Sequence, residues 1–307
     1  MRDLTIIGGS AAAITAGIYA ARRGLNFVVI AKEFGGEVAT SGEVGNWPGI
    51  QQTDGFALAK QFKDHLDFYK APTEDGVLVE SIVKGTDGIF TVSAKRGDEA
   101  LSFQSRAVIV ATGVHPRELG VPGEKEFRNK GVSYCTTCDG PIFSGKITAT
   151  VGGGNSALES ALMLADIASH VYVINKNTAF KGDQMLIENL QKKQNVTILY
   201  NALTTRIEGD QFVKHLAYKD AEGVEHVLDV EGVFVHIGNI PNSSVVPSEV
   251  EKDAIGQIVV DAHCATNVSG LFAAGDVTNV PFNQIVIAAG QGCIAALTAV
   301  QYLNRQS

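Results

Sequence analysis

Short apolar runs that end in glycine recur along the chain and predict buried strands. Residues 4–7 form such a run, the turn Gly8-Gly9-Ser10 closes it, and an alanine-rich stretch with helical spacing follows. Residues 26–30 form the next apolar run. A strand, a glycine turn, a helix and a second strand make a βαβ unit, in which the glycines let the backbone approach a pyrophosphate. Residues 4–21 carry no charge, but the glycine turn divides them, so they are predicted as strand and helix rather than as a membrane span.

The same pattern restarts in the middle of the chain. Residues 146–151 are predicted as a strand, and Gly152-Gly153-Gly154-Asn155-Ser156-Ala157 is a regular Gly-x-Gly-x-x-Ala turn. A helix and a further strand are predicted over residues 158–174. The first turn is less regular, because Ser10 and Ala13 stand in the places of two glycines. Taken alone, the first turn is equally consistent with a tight bend that binds nothing.

The remaining apolar runs fit a duplicated fold. A helix is predicted over residues 55–69. Two groups of three runs predict antiparallel excursions; their residues are 77–83, 89–94, 101–105, 196–201, 211–218 and 224–228. A buried strand follows each group, at residues 107–111 and 232–237. A last strand at residues 270–276 and a helix over 284–303 cannot fold alone, so we assign them to the first domain.

The predicted fold class is therefore α/β, with two Rossmann-like, three-layer domains, the second inserted into the first. Residues 1–114 and 243–307 are assigned to the first domain, and residues 115–242 to the second. A chain of 307 residues is long enough for two hydrophobic cores.

Composition narrows the function further. A hydrophobic content of 45% with 19% charged residues is ordinary for a soluble α/β protein. The net charge of -8 argues against binding to nucleic acid or to an anionic membrane surface. Four cysteines are too few for a disulfide scaffold and favour a reducing compartment. The predicted location is the cytoplasm.

Cys135-Thr136-Thr137-Cys138-Asp139 is the stretch that carries chemistry. Two cysteines at this spacing can close a small disulfide ring, and their surroundings can lower the pKa of one thiol. The adjacent Asp139 can exchange the proton that thiol-disulfide exchange requires. The same spacing is also half of a zinc site, but Cys264 and Cys293 stand alone and no His-x-x-x-His pair occurs. Redox chemistry is therefore favoured over metal binding.

With these motifs in order, the sequence resembles the low-molecular-weight thioredoxin reductases over nearly its whole length. The segments that carry the resemblance are residues 35–36, 43–49, 111–113, 135–140, 152–157, 275–276 and 288–293. The resemblance implies an FAD-binding domain built from both chain ends, an inserted nicotinamide-nucleotide domain that carries the cysteine pair, and a homodimer. It also implies that reduced FAD passes electrons to a Cys135–Cys138 disulfide, which reduces a thioredoxin- or glutaredoxin-like protein. In that scheme Cys138 faces the flavin, Cys135 attacks the partner and Asp139 is the acid.

The resemblance also assigns the cofactor-binding positions. For FAD they are Gly8, Ser10, Ala11, Ala12, Gly35, Gly36, Glu37, Val38, Asn46, Thr112, Gly113, Gly275, Asp276, Asn283, Gln284 and Ile285. For a nicotinamide nucleotide they are Gly152, Gly154, Asn155, Ser156, Ala157, Lys176 and Lys181. No metal ion, nucleic acid or membrane is expected as a partner.

The electron donor is the feature in which the sequence departs most from this family. NADPH-using members clamp the 2′-phosphate with His-Arg-Arg and a further arginine, whereas residues 175–181 here are Asn-Lys-Asn-Thr-Ala-Phe-Lys. The arginine that precedes Gln284 in the family is replaced by Asn283. In the inserted domain, the second predicted strand does not end in the Asp or Glu that would hold the ribose hydroxyls of NADH. We expect weak use of NADPH with little preference over NADH, and reduced ferredoxin is an alternative donor.

Two other classes of protein fit parts of the sequence. Flavoproteins that resemble ferredoxin/flavodoxin–NADP reductases share the fold but lack the cysteine pair, and a nucleotide-binding sensor has no need of it.

Trp47 is expected to pack the glycine-rich loop, and His115 and His236 are expected to be structural. At the position of His236 the family usually has a small residue. Cys264 and Cys293 are expected to be inert.

Overall fold

The computed structural model describes residues 1–41 and 43–306, and for Glu43 and Cys138 it describes the backbone alone. The chain folds into two compact units. The discontinuous unit comprises Met1–His115 and Ile240–Ser307, and the inserted unit comprises Pro116–Asn239.

A seven-stranded sheet forms the centre of the discontinuous unit. The strands of this unit are β1 (Arg2–Ile7), β2 (Phe27–Ile30), β3 (Glu43–Val44), β4 (Thr53–Asp54), β5 (Thr73–Glu74), β6 (Leu78–Lys84), β7 (Phe90–Arg96), β8 (Glu99–Val110) and β19 (Leu271–Ala273). The sheet order is β5-β2-β1-β8-β7-β6, and β19 pairs with β8. Strands β5, β2, β1, β8 and β19 are parallel, whereas β6 and β7 form an antiparallel hairpin on the first half of β8. β3 and β4 form a separate pair.

Within the described residues, four helices complete the discontinuous unit. They are α1 (Ala11–Arg22), α2 (Gly36–Thr40), α3 (Gly55–Phe68) and α7 (Ile285–Arg305). The sheet buries side chains on both faces: Leu4 and Ile6 belong to a core cluster with α1 and α7, and Ile7 belongs to a second cluster with the hairpin strands. The side chain of Asp54 caps α3 by accepting the backbone N–H of Ala57 at 2.8 Å.

Strand β8 corrects one prediction of the sequence analysis. Residues 101–105 and 107–111 were predicted as two strands, but β8 is continuous over Glu99–Val110. Neither glycine nor proline interrupts the run, and the buried Ser105 hydroxyl donates to the Ala107 carbonyl at 2.8 Å. The first antiparallel excursion is therefore part of the main sheet rather than a separate one.

The inserted unit repeats the plan with a five-stranded parallel sheet. The strands of the whole inserted unit are β10 (Val132–Ser133), β11 (Ile147–Val151), β12 (His170–Ile174), β13 (Val196–Leu199), β14 (Leu203–Gly209), β15 (Val213–Lys219), β16 (Glu225–Asp229) and β17 (Gly232–Val235). Its helices are α4 (Thr136–Asp139), a 3₁₀ turn over Gly140–Phe143, α5 (Asn155–Ala165) and α6 (Gln184–Gln191). The parallel order is β10-β17-β11-β12-β13, and β14-β15-β16 form a separate antiparallel sheet.

The second antiparallel excursion differs from its prediction. Residues 196–201 were assigned to it, but β13 pairs in parallel with β12 at the edge of the main sheet. Helix α6 precedes β13, so the chain makes an ordinary β-helix-β crossover there. The first strand of the excursion is β14, which the sequence analysis missed. In β14 the buried Thr204 and Ile207 lie among exposed or half-buried residues.

Helix α7 is long and apolar enough to cross a membrane, by length and composition only. In the structure it packs along α1 as a core helix and buries Gly292, Ala295, Ala296, Ala299 and Leu303. A Cβ atom on Gly292 would lie 2.1 Å from the carbonyl oxygen of Ala12, so the two helix backbones are in direct contact. The uncharged run at the chain start is β1 followed by α1, as predicted.

Two short strands carry the chain between the units and pair with each other. They are β9 (Val114–Pro116) and β18 (Asn239–Pro241). The backbone N–H of Asn242 donates to the Gly113 carbonyl at 3.0 Å, and that of Arg117 donates to the Gly238 carbonyl at 2.9 Å.

Candidate active site

The turn after β1 brings the backbone close to the end of β8. Gly8 has a φ of 137°, and a Cβ atom there would lie 2.1 Å from the carbonyl oxygen of Ala111. Only glycine fits this position. The N–H groups of Ala11 and Ala12, in the first turn of α1, have no acceptor within the helix. Such a helix start, reached by a turn of two glycines and a serine, is suited to a pyrophosphate.

Ser10 is committed to a neighbouring turn. Its hydroxyl donates to the carbonyl oxygen of Gly35 at 2.6 Å, immediately before α2 begins at Gly36. The sequence analysis had placed Ser10 among the FAD-binding positions. In the structure its hydroxyl fastens Gly35 to the start of α1, and the helix α2 that follows carries the exposed Glu37 and the buried Val38.

The turn Gly275-Asp276 follows β19 and is fixed by a residue that the sequence analysis did not single out. The side-chain carbonyl of Gln291 accepts the backbone N–H of Gly275 at 2.7 Å. The Thr278 hydroxyl donates to the Gly275 carbonyl at 2.8 Å. Burial, with a smaller contribution from the negative charge of Glu37, raises the pKa of Asp276 to about 6. Gln291 lies in the sequence segment shared with the related family, but its residue type alone gives no sign of this contact.

Asn46 and Gln284 meet across the fold, although they are far apart in sequence. The Asn46 amide donates to the Gln284 side-chain carbonyl at 3.1 Å. Gln284 precedes α7, and the first residue of that helix, Ile285, packs against the cluster that contains Val38. Asn283 is exposed beside them. The rings of Trp47 and Phe62 pack edge to face with centroids 5.0 Å apart, so Trp47 packs this loop as expected.

Thr112 and Gly113 follow β8 and are bound to the returning chain. The Thr112 hydroxyl donates to the Asn242 carbonyl at 2.8 Å, and the Asn242 amide donates to the Thr112 carbonyl at 2.8 Å. The His115 Nδ1 lies 2.6 Å from the Asn242 side-chain oxygen. His115 is therefore held in the connection between the units.

These positions fit an FAD cofactor. The residues after β1 and β8 and after β19 stand at the carboxyl ends of parallel strands, where dinucleotides bind in this class of fold. Gly8 supplies the close backbone approach and α1 the helix terminus, while Asn46, Gln284 and Asp276 supply polar side chains. When bound, FAD supplies a two-electron acceptor and donor.

In the inserted unit, the cysteine turn follows β10. Cys135 is disulfide-bonded, and the side chain of Cys138 lies outside the described part of the chain. The backbone N–H of Asp139 donates to the Cys135 carbonyl at 3.1 Å. The Ser133 hydroxyl donates to an Asp139 carboxylate oxygen at 2.5 Å and accepts the Cys135 N–H at 3.0 Å. Ser133 thus holds Asp139 beside the cysteine turn, a role that the sequence analysis missed.

A buried carboxylate supports the approach to this turn. Glu124 is 1% exposed and accepts the backbone N–H groups of Leu119 and Gly120, both at 2.7 Å. It also accepts the Tyr134 hydroxyl at 2.8 Å. Burial, followed by the bond to Glu124, raises the pKa of Tyr134 well above its ordinary value. The Arg128 guanidinium lies 5.0 Å from the centre of the Tyr134 ring.

A second polar chain begins inside the cysteine turn. The buried Thr136 hydroxyl lies 2.8 Å from Nε2 of His236 and 2.5 Å from the buried hydroxyl of Ser160. Ser160 in turn lies 3.4 Å from the hydroxyl of Thr150. Burial lowers the pKa of His236 to about 4.

The second glycine turn has the same geometry as the first. A Cβ atom on Gly152 would lie 2.1 Å from the carbonyl oxygen of His236, and Gly154, the N-cap residue of α5, would have no atom within 4 Å of an added Cβ. Ser156 is exposed and Ala157 is buried in the first turn of the helix. The turn therefore fits the pyrophosphate of a nicotinamide nucleotide.

The side chains around this second turn offer little to a 2′-phosphate. Lys176 and Lys181 are both exposed. The buried Asn175 is turned onto its own loop, accepting the Asn177 N–H at 3.0 Å and donating to the Ala179 carbonyl at 2.9 Å. The Asn155 amide donates to a carboxylate oxygen of Asp183 at 3.0 Å, so the predicted nucleotide residue Asn155 holds a negative charge near the turn.

A cavity of about 410 Å³ adjoins Asp139 within the inserted unit. Its lining includes Ser133 and Asp139, and Ile142 and Phe212, which are 66% and 62% exposed, also line it. Among the residues that the structure describes, no group of three His, Cys, Asp or Glu side chains could hold a metal ion.

The other two cysteines lie in the discontinuous unit as free thiols. Burial raises the pKa of Cys264 to about 11, which keeps it protonated. Its Sγ lies 3.6 Å from the Gln291 carbonyl oxygen. Cys293 is half-buried beside Tyr19, whose pKa it raises through a hydrogen bond.

The chain is similar to known proteins over almost its full length. The family model for pyridine nucleotide-disulphide oxidoreductases matches residues 2–292. A Bacillus subtilis protein named NADH dehydrogenase is 41% identical over 99% of this chain, and an alkyl hydroperoxide reductase component of Escherichia coli is 40% identical over 99%. This chain spans 59% and 58% of the lengths of those two relatives.

Similar solved structures are thioredoxin reductases. That of Lactococcus lactis has a TM-score of 0.85 at 28% identity, with 99% of this chain and 100% of that chain covered. That of T. acidophilum has a TM-score of 0.82 at 38% identity, with 100% and 99% covered. A ferredoxin-flavin thioredoxin reductase of Clostridium acetobutylicum has a TM-score of 0.54 at 28% identity, with 99% and 98% covered.

The comparisons confirm the predicted fold class and the predicted resemblance. The cofactor prediction is confirmed at the level of the family, which uses FAD together with NADH or NADPH. Glycine turns in both units, a disulfide at Cys135 and a match along nearly the entire sequence agree with one another. The chain belongs to the pyridine nucleotide-disulphide oxidoreductase family, as a flavoprotein of the low-molecular-weight thioredoxin reductase type.

Proposed function

We propose that this chain is a flavin-dependent protein-disulfide reductase. Electrons pass from a donor to FAD, then to the Cys135–Cys138 disulfide, and from the dithiol to a small thioredoxin- or glutaredoxin-like protein. The observation that carries the proposal is the disulfide at Cys135 with the carboxylate of Asp139 held in the same turn by Ser133. A carrier of electrons to ferredoxin, or a sensor, would have no use for this arrangement.

The proposed transfer to the partner is two thiol-disulfide exchanges. In the reduced enzyme the Cys135 thiolate attacks one sulfur of the partner's disulfide, a mixed disulfide forms, and the other partner sulfur leaves as a thiolate. Asp139 takes up the proton that the Cys135 thiol loses and delivers it to this leaving thiolate. The Cys138 thiolate then attacks the Cys135 sulfur, restores the internal disulfide and releases the second partner thiolate, which is protonated. Two electrons and two protons pass to the partner.

Substitution of the two cysteines tests the activity. Cys135→Ser and Cys138→Ser should each abolish reduction of a thioredoxin-like protein, while the flavin is still bound and still bleached by dithionite. Cys138→Ser leaves Cys135 free to attack, so it should trap the partner as a mixed disulfide that dithiothreitol releases. Reduction at the wild-type rate by both variants would refute the proposal.

The partner is proposed to dock over the cavity beside Asp139. The solved neighbours are named thioredoxin reductases, and the exposed Ile142 and Phe212 give the cavity an apolar lining next to the redox turn. Exposed apolar side chains grouped around a site typically mark a protein contact. The curated relatives are longer proteins with other names, so the identity of the partner is part of the proposal.

Ile142→Asp and Phe212→Asp test this docking site. Each should raise KM for the redoxin about tenfold, which corresponds to about 1.4 kcal/mol, with little change in the reduction of a small aromatic disulfide. Met185→Asp is the matched control, because Met185 is an apolar residue of the inserted unit that is 70% exposed and does not line the cavity. Equal effects of all three substitutions would contradict docking at the cavity.

A nicotinamide nucleotide is the proposed donor, with little discrimination between NADH and NADPH. The regular turn at Gly152 favours a pyrophosphate, while Lys176 and Lys181 offer only point charges to a 2′-phosphate and Asp183 adds a negative charge nearby. The loss of one charge-assisted contact costs about 1.5–3 kcal/mol, or about ten- to a hundredfold in affinity. The name of the Bacillus subtilis relative supports NADH as a donor.

An anaerobic titration distinguishes the donors. NADH and NADPH should bleach the flavin with similar, modest apparent affinities. Rapid bleaching by micromolar NADPH but not by NADH would contradict the proposal. Reduced ferredoxin is the second candidate, favoured by the similarity to a ferredoxin-flavin thioredoxin reductase. Bleaching by reduced ferredoxin alone would establish it.

We also propose that the protein is a homodimer in the cytoplasm. Sedimentation of the flavoprotein tests the homodimer.

A further inference from the structure

His236 occupies a place where the duplicated fold needs no histidine. In the discontinuous unit, the carbonyl that faces the glycine of the first turn belongs to Ala111, and in the inserted unit the matching carbonyl belongs to His236. The two glycines also make matching bonds, from Gly8 to the Ile30 carbonyl at 2.8 Å and from Gly152 to the Ile174 carbonyl at 3.0 Å. The alanine at the matching position of the first unit shows that a methyl side chain is enough to form this turn. The imidazole of His236 is therefore not needed for the turn itself.

The imidazole reaches the cysteine turn through one hydroxyl. Its Nε2 lies 2.8 Å from the hydroxyl of Thr136, which directly follows Cys135 and is the first residue of α4. The same hydroxyl lies 2.5 Å from Ser160 on α5. The short helix α4 has few backbone bonds of its own, so these two contacts fasten it to the end of β17 and to α5.

The bond between His236 and Thr136 is available in either neutral tautomer. If Nε2 carries no proton, Thr136 donates to it and accepts from Ser160; if Nε2 is protonated, Thr136 accepts from it and donates to Ser160. The pKa of His236, lowered to about 4 by burial, keeps the ring neutral at physiological pH. Among the described residues, burial alone accounts for this lowering of the His236 pKa.

We propose that His236 is a positioning residue for the Cys135–Cys138 pair, which it holds through Thr136 in the arrangement that favours the disulfide. The inference rests on the proposed disulfide reductase function. A turn fixed in this way keeps two thiols within reach of each other, and this raises their effective concentration for forming the bond. When the hydrogen bond is lost, the disulfide becomes less stable relative to the dithiol. The reduction potential of the pair therefore becomes less negative.

The reduction potential of the pair tests the proposal without donor or partner. The oxidised flavoprotein is equilibrated anaerobically in dithiothreitol buffers and alkylated, and the tryptic peptide of residues 131–146 is quantified by mass. A neutral hydrogen bond is worth about 0.5–1.5 kcal/mol, so His236→Ala should shift the dithiol-disulfide equilibrium about two- to tenfold toward the dithiol. A tenfold shift is about 30 mV for two electrons. Thr136→Val should do the same.

Conservative variants separate positioning from packing. His236→Gln and Thr136→Ser keep a hydrogen-bonding group, so both should stay near the wild-type potential. The double variant His236→Ala/Thr136→Val should shift the equilibrium no further than the larger of the two single variants, because both remove the same bond. If His236→Ala does not fold, Thr136→Val, Thr136→Ser and His236→Gln still make the comparison.

Two different failures can be told apart. Unchanged potentials in His236→Ala and Thr136→Val, with only a lower melting temperature, or additive shifts in the double variant, would overturn the positioning role alone. A wild-type peptide that forms no reversible disulfide in any buffer would overturn the proposed function and this inference together.

Discussion

Glu124 is a buried carboxyl group with three hydrogen-bond donors around it. Its oxygens accept two backbone N–H groups and the hydroxyl of Tyr134, the residue that precedes Cys135. A buried polar group is tolerated only when its hydrogen bonds are made. Glu124 therefore fixes the loop at residues 119–120 relative to the strand that enters the cysteine turn.

Glu124→Ala is expected to lower the free energy of unfolding by about 3 kcal/mol, since three hydrogen-bond donors lose a buried acceptor. Glu118→Ala is the control, because Glu118 is a neighbouring acid whose ion pairs with Lys125 and Arg128 are solvent-exposed. It should cost less than about 1 kcal/mol. Urea unfolding of both variants measures the difference. A similar cost for the two would show that the buried bonds contribute little.

Asp276 should make stability depend on pH. Its folded-state pKa of about 6 lies above the ordinary value of 3.8. The folded state therefore binds more protons than the unfolded state between these values, and the stability contributed by the neutral acid is lost as pH rises through about 6. Asp276→Asn should relieve about 1–2 kcal/mol of destabilisation near pH 7 and little near pH 4, after allowance for partial exposure.

The measurement is urea unfolding of the flavin-free wild type and of Asp276→Asn at several pH values. His236 contributes the opposite slope, because its pKa is lowered and its stabilisation is lost as pH falls toward about 4. The difference between the two proteins cancels that term. A difference curve that is flat between about pH 4 and pH 7 would contradict the raised pKa of Asp276.

Between elements, α1 and α7 cross in direct backbone contact at Gly292. A methyl group on Gly292 would strike the Ala12 backbone, which cannot move aside as a flexible side chain can. Gly292→Ala should therefore destabilise the protein by about 3 kcal/mol and reduce its flavin content, since Ala12 belongs to the first turn of α1.

Gly290→Ala is the control in the same helix. Nothing lies within 4 Å of the added Cβ there, so the better helix propensity of alanine should raise stability by about 0.5–1 kcal/mol. Thermal unfolding and flavin absorbance report both effects. An equal loss of stability in both variants would contradict a steric limit that is specific to the crossing at Gly292.

The sequence predicted elements better than the contacts between them. The two glycine turns and the helices after them follow from apolar runs and glycine spacing alone. The continuity of β8 could not be seen, because a strand that leaves one pairing and enters another has no marker in its own residues. Ser133 and Gln291 were missed for a related reason: a hydroxyl or amide acquires its role from the partner that the fold brings beside it, and the residue type alone does not identify that partner.

On the scale of the whole molecule, the two duplicated glycine turns allow the same substitution to be compared in both units. Gly8 and Gly152 have the same steric limit, so alanine at either should be equally disruptive locally. Gly8→Ala should abolish FAD binding. Gly152→Ala should retain FAD that dithionite reduces and lose only reduction by NADH or NADPH. Flavin absorbance and anaerobic titration separate the two. Loss of FAD from both variants would contradict the assignment of one cofactor to each turn.

The paired connections have a consequence for how such a protein can be rebuilt. Gly113 and Asn242 are joined by a backbone hydrogen bond, and so are Arg117 and Gly238. Each unit therefore presents two chain ends that already touch. A short turn could close either pair, so each half can in principle be circularised, exchanged for a foreign counterpart, or given new termini, without stretching a single strand of the other.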